Sequence, residues 1–230
     1  MTTISANLQA VYARIAAACA AAGRDPATVR LLAVSKTWPA EDVRAAADCG
    51  QRAFGESYVQ EAVAKIEALA DLGLEWHFIG PLQSNKTRLV AERFAWVHSI
   101  DRLKIAERLS AQRPGGMPAL RVCIEINVSG EASKSGCAPD EAVELARRVA
   151  QLPNLTLRGL MTIPEASDDL SAVRKRFAEL RRLRECIEGE CGLGLDTLSM
   201  GMSHDLEAAI AEGATIVRVG TAIFGAREYQ

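Results

Sequence analysis

A single lysine closes the apolar run Leu31-Leu32-Ala33-Val34-Ser35-Lys36, and Thr37-Trp38-Pro39 breaks the chain directly after it. An amine at the C-terminal end of a buried parallel strand sits in a low-dielectric mouth. Desolvation there disfavours the ammonium and leaves more of the neutral, nucleophilic amine that a Schiff-base lysine requires. A solvated lysine at a strand end is the other reading of the same segment. Near the C-terminus, two short segments suit an anion. In Ser199-Met200-Gly201-Met202-Ser203, Gly201 permits close backbone approach and Ser203 is placed to N-cap a helix running to Glu212. In Arg218-Val219-Gly220-Thr221, a glycine and a hydroxyl again offer small groups and amide donors to phosphate oxygens. Ordinary turn and capping chemistry accounts for each segment equally well. Strand alternation sets Arg218 in register with Ile216 and Gly220, pointing into a barrel mouth. A buried guanidinium needs an acceptor, either a carboxylate or the ring nitrogen of a pyridine cofactor. An arginine at that nitrogen would keep it unprotonated and weaken the ring as an electron sink.

These residues need a scaffold that brings strand ends together. Short apolar runs alternate with stretches of helical periodicity, the pattern of β-α units around a parallel sheet. Eight strands are predicted, at 30–35, 52–56, 75–79, 95–99, 120–127, 156–162, 196–200 and 214–219. Several are apolar throughout, as strands covered on both faces should be. The clearest helix is 168–188, with Leu170, Val173, Phe177, Leu180 and Ile187 on one stripe and Arg174, Lys175, Arg176, Arg181 and Arg182 facing solvent. A further helix over 5–22, with Leu8, Val11, Tyr12, Ile15 and Cys19 on one side, precedes the first strand and is expected to cap the barrel wall or bottom. The stretches 113–118 and 189–194 read as turns rather than interdomain linkers. The expected fold is a single (β/α)8 TIM barrel with an extra N-terminal helix, one domain over 1–230, in which ligands bind at the C-terminal strand ends and phosphate at the loops after strands seven and eight.

Composition narrows the function classes. Of 230 residues, 49% are apolar and 24% charged, and a net charge of −2 offers no general attraction to nucleic acid or anionic membrane. Six scattered cysteines form no C-x-x-C pair, which fits a reducing cytoplasm. No basic n-region leads an apolar segment at the N-terminus, and no run approaches the roughly 18 apolar residues of a membrane span. Walker A and G-x-G-x-x-G sequences are absent. His77, His98 and His204 lack metal-ligand spacing and are assigned structural roles: His77 shaping the mouth, His98 at a strand end, His204 in a first helical turn. Asp48, Asp101, Asp140 and Asp205 read as caps or solvated residues, and Met161 as core filler.

Seven motifs together carry a resemblance over nearly the whole chain. They are Leu32-Ala-Val-Ser-Lys36-Thr37, Phe54-Gly-Glu-Ser-Tyr-Val-Gln-Glu61, Trp76-His-Phe-Ile-Gly-Pro-Leu-Gln-Ser-Asn-Lys86, Ser133-Lys-Ser-Gly136, Arg158-Gly-Leu-Met161, Ser199-Met-Gly-Met-Ser203 and Arg218-Val-Gly-Thr-Ala-Ile-Phe-Gly225. The chain closely resembles the pyridoxal-phosphate homeostasis proteins, the YggS/PROSC family. The resemblance implies a barrel similar to that of bacterial alanine racemases, with pyridoxal 5′-phosphate as an internal aldimine on Lys36. It further implies phosphate against Ser199, Ser203, Gly220 and Thr221, with Arg218 at the pyridine nitrogen. Two positions depart from the family pattern. Ser57 stands where asparagine is usual, which shortens any amide contact there or replaces it by water. Trp38 stands where some relatives have a second lysine, although Lys134 supplies another amine.

The expectation is therefore a cytoplasmic, monomeric cofactor-handling protein that binds pyridoxal phosphate, limits free aldehyde and needs no turnover. Its partners would be the cofactor and, transiently, pyridoxal-phosphate-dependent enzymes, with no nucleic acid and no membrane. The contrasting expectation is a pyridoxal-phosphate-dependent racemase or decarboxylase. Against it, racemases of the related fold take a tyrosine from an additional β domain, whereas this chain ends at Gln230, just after the barrel. A third is a phosphate-binding barrel enzyme in which Lys36 traps a substrate carbonyl.

Overall fold

Eight short strands, each followed by helical structure, close on themselves in sequence order. In a computed structural model the structure describes residues 3–131, 135–165, 167 and 169–226, so Lys134 lies outside the described residues. The strands are β1 Arg30–Val34, β2 Ala53–Glu56, β3 Glu75–Phe78, β4 Trp96–Ile100, β5 Leu120–Glu125, β6 Leu155–Met161, β7 Thr197–Ser199 and β8 Ile216–Val219. All neighbours pair in parallel, and β8 returns to β1 through Arg30–Ile216 to Ala33–Val219, closing the barrel. The helices are α1 Ile4–Ala21, α2 Ala40–Asp48, α3 Val59–Ala68, α4 Thr87–Arg93, α5 Leu103–Gln112, α6 Ala142–Ala150, α7 Leu170–Cys191, α8 Leu206–Ala211 and α9 Thr221–Phe224.

Period-two alternation divides the apolar residues into two cores. Leu31, Ala33, Phe54, Phe78, Val97, Val122, Ile124, Leu160, Leu198, Val217 and Val219 join the large core between sheet and helices. Leu32, Val34, Ala53, Ile79 and Ile216 pack inside the barrel, as do Trp96, Cys123 and Met161. Met161 is thus core filler. Each large side chain buried in the outer layer contributes about 1.5–3 kcal/mol. Gly159 marks where β6 approaches β7 most closely, because a Cβ there would fall 1.7 Å from the Thr197 carbonyl oxygen.

α1 lies on the wall against α2, α8 and α9 rather than across the bottom. Its N-cap Thr3 accepts a hydrogen bond from the Ala6 amide, and Leu8, Val11, Ile15 and Cys19 are buried. Tyr12 departs from that stripe. It is 46% exposed, although its hydroxyl donates to Gln51 Oε1. In α7, Val173, Phe177, Leu180 and Ile187 are buried, but Leu170 overhangs the first turn, 59% exposed. The helix also runs through Gly189 to Cys191 and stops where Gly192 adopts φ 65°, so the expected turn at 189–194 begins later. Part of its basic face is committed to neighbours: Arg174 and Arg181 pair with Glu212, and Arg176 pairs with Glu165. Among the described residues, no helix is long and apolar enough to cross a membrane.

Candidate functional site

Lys36 follows β1 by two residues, and both of its neighbours are clamped. Ser35 Oγ donates to Glu56 Oε1 at 2.6 Å. Lys65 Nζ, on α3, donates to the Ser35 carbonyl at 2.7 Å, to Glu56 Oε1 at 2.8 Å and to Glu61 Oε1 at 2.5 Å. The same Glu61 oxygen accepts the Thr37 amide at 2.6 Å. Thr37 stands at φ 70°, a left-handed conformation that costs a β-branched residue about 1–2 kcal/mol and that the clamp stabilises. Burial pushes the Glu56 carboxyl up, against the opposing pull of Lys65.

Lys36 is half-buried and lines a cavity of about 270 Å³ with Val34, Ile79, Ile163, Met202, Ser203, His204, Arg218, Gly220 and Thr221. The cavity lies at the C-terminal ends of β1 and β8. Of the six residues singled out by sequence, it brings together Lys36, Ser203, Arg218, Gly220 and Thr221. Gly220 lets β8 come close to β1, since a Cβ there would lie 3.1 Å from the Val34 carbonyl oxygen. Gly201, at φ 94°, turns the chain after β7 where a Cβ would lie 2.5 Å from Ala209 Cβ. The extra helix buttresses both loops. Arg14 donates to the Ser203 carbonyl at 3.1 Å and pairs with Glu207, while Asn7 donates to the Ile223 carbonyl at 2.8 Å.

Ser199, the sixth, is fully buried and does not line the cavity. Its hydroxyl is 2.8 Å from His98 Nδ1 and accepts from Arg218 Nη1 at 2.9 Å. Arg218 Nη1 also donates to the Ser199 carbonyl at 2.6 Å, and Nη2 to the Thr162 carbonyl at 2.9 Å. Burial lowers the arginine to about 10, with Glu125 opposing. Ser203 is not a helix cap. α8 starts at Leu206 after a turn over 203–205, and His204 is an exposed turn residue on the cavity. His98 lies within β4, not at its end, and His77 lies inside the barrel rather than at the mouth. Both are fully buried.

A second cavity of about 440 Å³ adjoins the first across Lys36, Ile79 and Ile163, and is also lined by Ser57, Tyr58, Gly80 and Lys86. Gly80 presses on the Ser57 backbone, a Cβ there falling 2.7 Å from the Ser57 carbonyl oxygen. Trp38 stacks on Phe224 with ring centroids 5.9 Å apart, tying the lysine loop to α9.

Comparison with known proteins fits this geometry. Residues 6–228 match the family model of the alanine racemase N-terminal domain. The chain is 64% identical over 229 residues to the pyridoxal phosphate homeostasis protein of Pseudomonas aeruginosa, covering 100% of this chain and 98% of that one. The chain belongs to the family of pyridoxal phosphate homeostasis proteins. The relative of that name in Escherichia coli K12 is 54% identical over 234 residues, with 100% and 99% coverage. PipY of Synechococcus elongatus, solved with PLP bound, superposes with a TM-score of 0.81 at 39% identity, covering 92% of this chain and all of that one. Alanine racemase from Corynebacterium glutamicum shares the fold, with a TM-score of 0.66 at 20% identity over 96% of this chain and 62% of that one.

Sequence reasoning missed Glu56, Lys65, Thr162 and Glu125. Glu56 and Glu61 both lie in the family motif after Phe54, and Glu61 with Lys65 has the i,i+4 spacing of a helical ion pair. That spacing was the available signal. Glu125 ends β5 with 6% exposure, and burial pushes its carboxyl up to about 7 although Arg218 pulls it down. A carboxyl raised from 4.5 binds its proton more tightly in the folded state, so its stability contribution is present below pH 4.5 and lost as pH rises through 7. Relative to Glu125→Gln, the wild type should lose up to about 3 kcal/mol between pH 5 and pH 8. Urea unfolding across that range checks it, and equal pH slopes for the two proteins refute it.

Proposed function

We propose that this protein binds pyridoxal 5′-phosphate at the β1, β7 and β8 mouth and holds it in reserve for enzymes that use it, without turnover of its own. The observation that carries the reading is one cavity containing the lysine amine, two loop hydroxyls beside Gly220 and a buried guanidinium. The donor set fits the group. Lys36 is the amine for its aldehyde, Ser203 and Thr221 are hydroxyl donors for its phosphate, and Arg218 is an always-charged donor for its ring nitrogen. Val34, Ile79, Ile163 and Met202 give the ring apolar walls. When bound, the cofactor supplies an electrophilic aldehyde, which a reversible carbon–nitrogen link keeps out of solution. Ser199 then acts through Arg218 rather than on the phosphate.

Storage rather than turnover is supported by close relatives named as homeostasis proteins. The same reading includes a monomer in the cytoplasm, in transient contact with recipient enzymes, and rests there on the family relation. Borohydride reduction followed by peptide mapping should place a pyridoxyl phosphate adduct on Lys36. Ser203→Ala combined with Thr221→Ala should weaken retention of pyridoxal phosphate by about tenfold, two hydroxyl donors at roughly 0.5–1.5 kcal/mol each, and leave unphosphorylated pyridoxal nearly unaffected. Adducts elsewhere, or equal losses for both ligands, would overturn the site.

A further inference from the structure

A continuous string of polar groups runs down the barrel interior from the buried Arg218, through buried Ser199, His98 and His77, to the partly exposed Glu75 at the opposite end. Arg218 Nη1 donates to Ser199 Oγ at 2.9 Å, and Ser199 Oγ is 2.8 Å from His98 Nδ1. His98 Nε2 is 2.9 Å from His77 Nδ1, and His77 Nε2 is 2.7 Å from Glu75 Oε1. Glu75 is anchored by Arg30 at 2.7 Å and Arg121 at 3.0 Å. His77 also stacks on Trp96, with centroids 5.3 Å apart and planes 7° apart, so the rings have little freedom to turn.

The two ends impose one proton order on everything between them. A guanidinium only donates and an ionised carboxylate only accepts, whereas a neutral imidazole has one of each. Glu75 therefore takes the Nε2 proton of His77, leaving Nδ1 of His77 to accept. His98 donates to it from Nε2 and accepts at Nδ1 from the Ser199 hydroxyl, whose lone pair takes the Arg218 proton. Every link is satisfied in that order. Reversing it would set two donors against Ser199 Oγ and leave the Ser199 proton without its acceptor. Neutral rings agree with the environment. Burial pushes His77 down to about 4 despite the carboxylate beside it, and burial, with His77 and Arg218 adding to it, holds His98 well below its usual range. Burial opposes ionisation of Glu75, but the His77 hydrogen bond and the two arginines outweigh it and hold the carboxyl at about 2.

We propose that Glu75, His77, His98 and Ser199 are positioning residues that aim the Arg218 guanidinium into the cavity through a hydrogen-bond chain of single polarity, with both imidazoles held as Nε2–H tautomers. The functional half of this inference rests on the reading that Arg218 faces the cofactor's ring nitrogen. The chain itself belongs to the protein without any ligand. A change deep in the barrel, remote from the phosphate loops and from Lys36, should then be felt at the ring nitrogen.

The first measurement is two-bond proton–nitrogen correlation on the cofactor-free protein labelled with 15N-histidine at pH 7. His77 and His98 are expected as neutral Nε2–H tautomers. An Nδ1–H tautomer or a doubly protonated ring at either position overturns the chain, whatever the ligand. The second uses pyridoxal phosphate carrying 15N in its ring, bound to wild type, His98→Phe and His98→Gln. Phenylalanine breaks both links and should shift the ring-nitrogen resonance. Glutamine retains an acceptor and a donor at the end of the side chain and should return it toward the wild-type position. An unmoved resonance in His98→Phe, or equal shifts in both variants, overturns the positioning role. If His98→Phe does not fold, Ser199→Ala cuts the chain at its arginine end and serves in the same comparison. Correct tautomers together with a cofactor that fails to bind would count against the binding reading alone.

Discussion

Alanine in place of Lys36 should remove the borohydride-reducible adduct entirely and leave the barrel folded. The side chain is half-buried at the mouth rather than packed in either core, so unfolding free energy should change by no more than about 1 kcal/mol. Ultraviolet circular dichroism and urea unfolding report the fold, and intact mass after reduction reports the adduct. Survival of the same adduct in Lys36→Ala would remove this lysine from the site. The variant is also the control for catalysis. Incubation of wild type, saturated with pyridoxal phosphate, with a panel of L-amino acids should give no sustained conversion by chiral and mass analysis. Multiple turnovers that vanish in Lys36→Ala would make this protein an enzyme.

Lys65→Met is expected to have the largest effect on stability. It strips the cation from Glu56, which is fully buried and whose Oε2 has no partner among the described residues. An uncompensated buried charge costs about 3–5 kcal/mol, less when the group escapes by taking up a proton. The Glu56 carboxyl is already raised and loss of Lys65 raises it further, so the variant's deficit should grow as pH rises from 5 to 8. Adding Glu56→Gln removes the charge and should recover most of the loss. Lys65→Met also frees the Ser35 carbonyl and leaves Glu61 to hold the Thr37 amide without the lysine beside it, so retention at Lys36 should weaken as well. Urea unfolding at the two pH values is the test. A deficit below about 1 kcal/mol at pH 8 would show that the clamp is not what holds the lysine loop.

Much of this architecture follows from local pattern. Strands covered on both faces are written as apolar runs between turn residues, which is why all eight fall within two residues of their expected ends, as with Arg30–Val34 against 30–35. The exposed Leu170 and the late start of α8 show the limit of periodicity. It reports which residues could share a face, whereas helix ends depend on what the neighbouring loops leave to cover. The family resemblance, carried by short motifs at strand ends, was likewise open to reading from sequence.

The site divides in the same way. Lys36, Gly220 and Thr221 announce themselves because small or reactive residues interrupt apolar runs at strand ends, and the strand order of a barrel brings β8 beside β1. Ser199 and Ser203 lie in one five-residue segment, and composition cannot tell which faces the cavity. Closure of the barrel decides it, turning Ser199 inward beneath Arg218 and Ser203 out to the rim. Glu75 and His77 on β3, and His98 on β4, are similarly unremarkable as isolated letters. Their hydrogen-bond partners lie 21 and 101 residues apart in the chain, distances that only the closed sheet spans. A buried polar group must find its partner wherever the fold puts one, so the amino-acid order determines which strands form and the tertiary structure determines which protons they share.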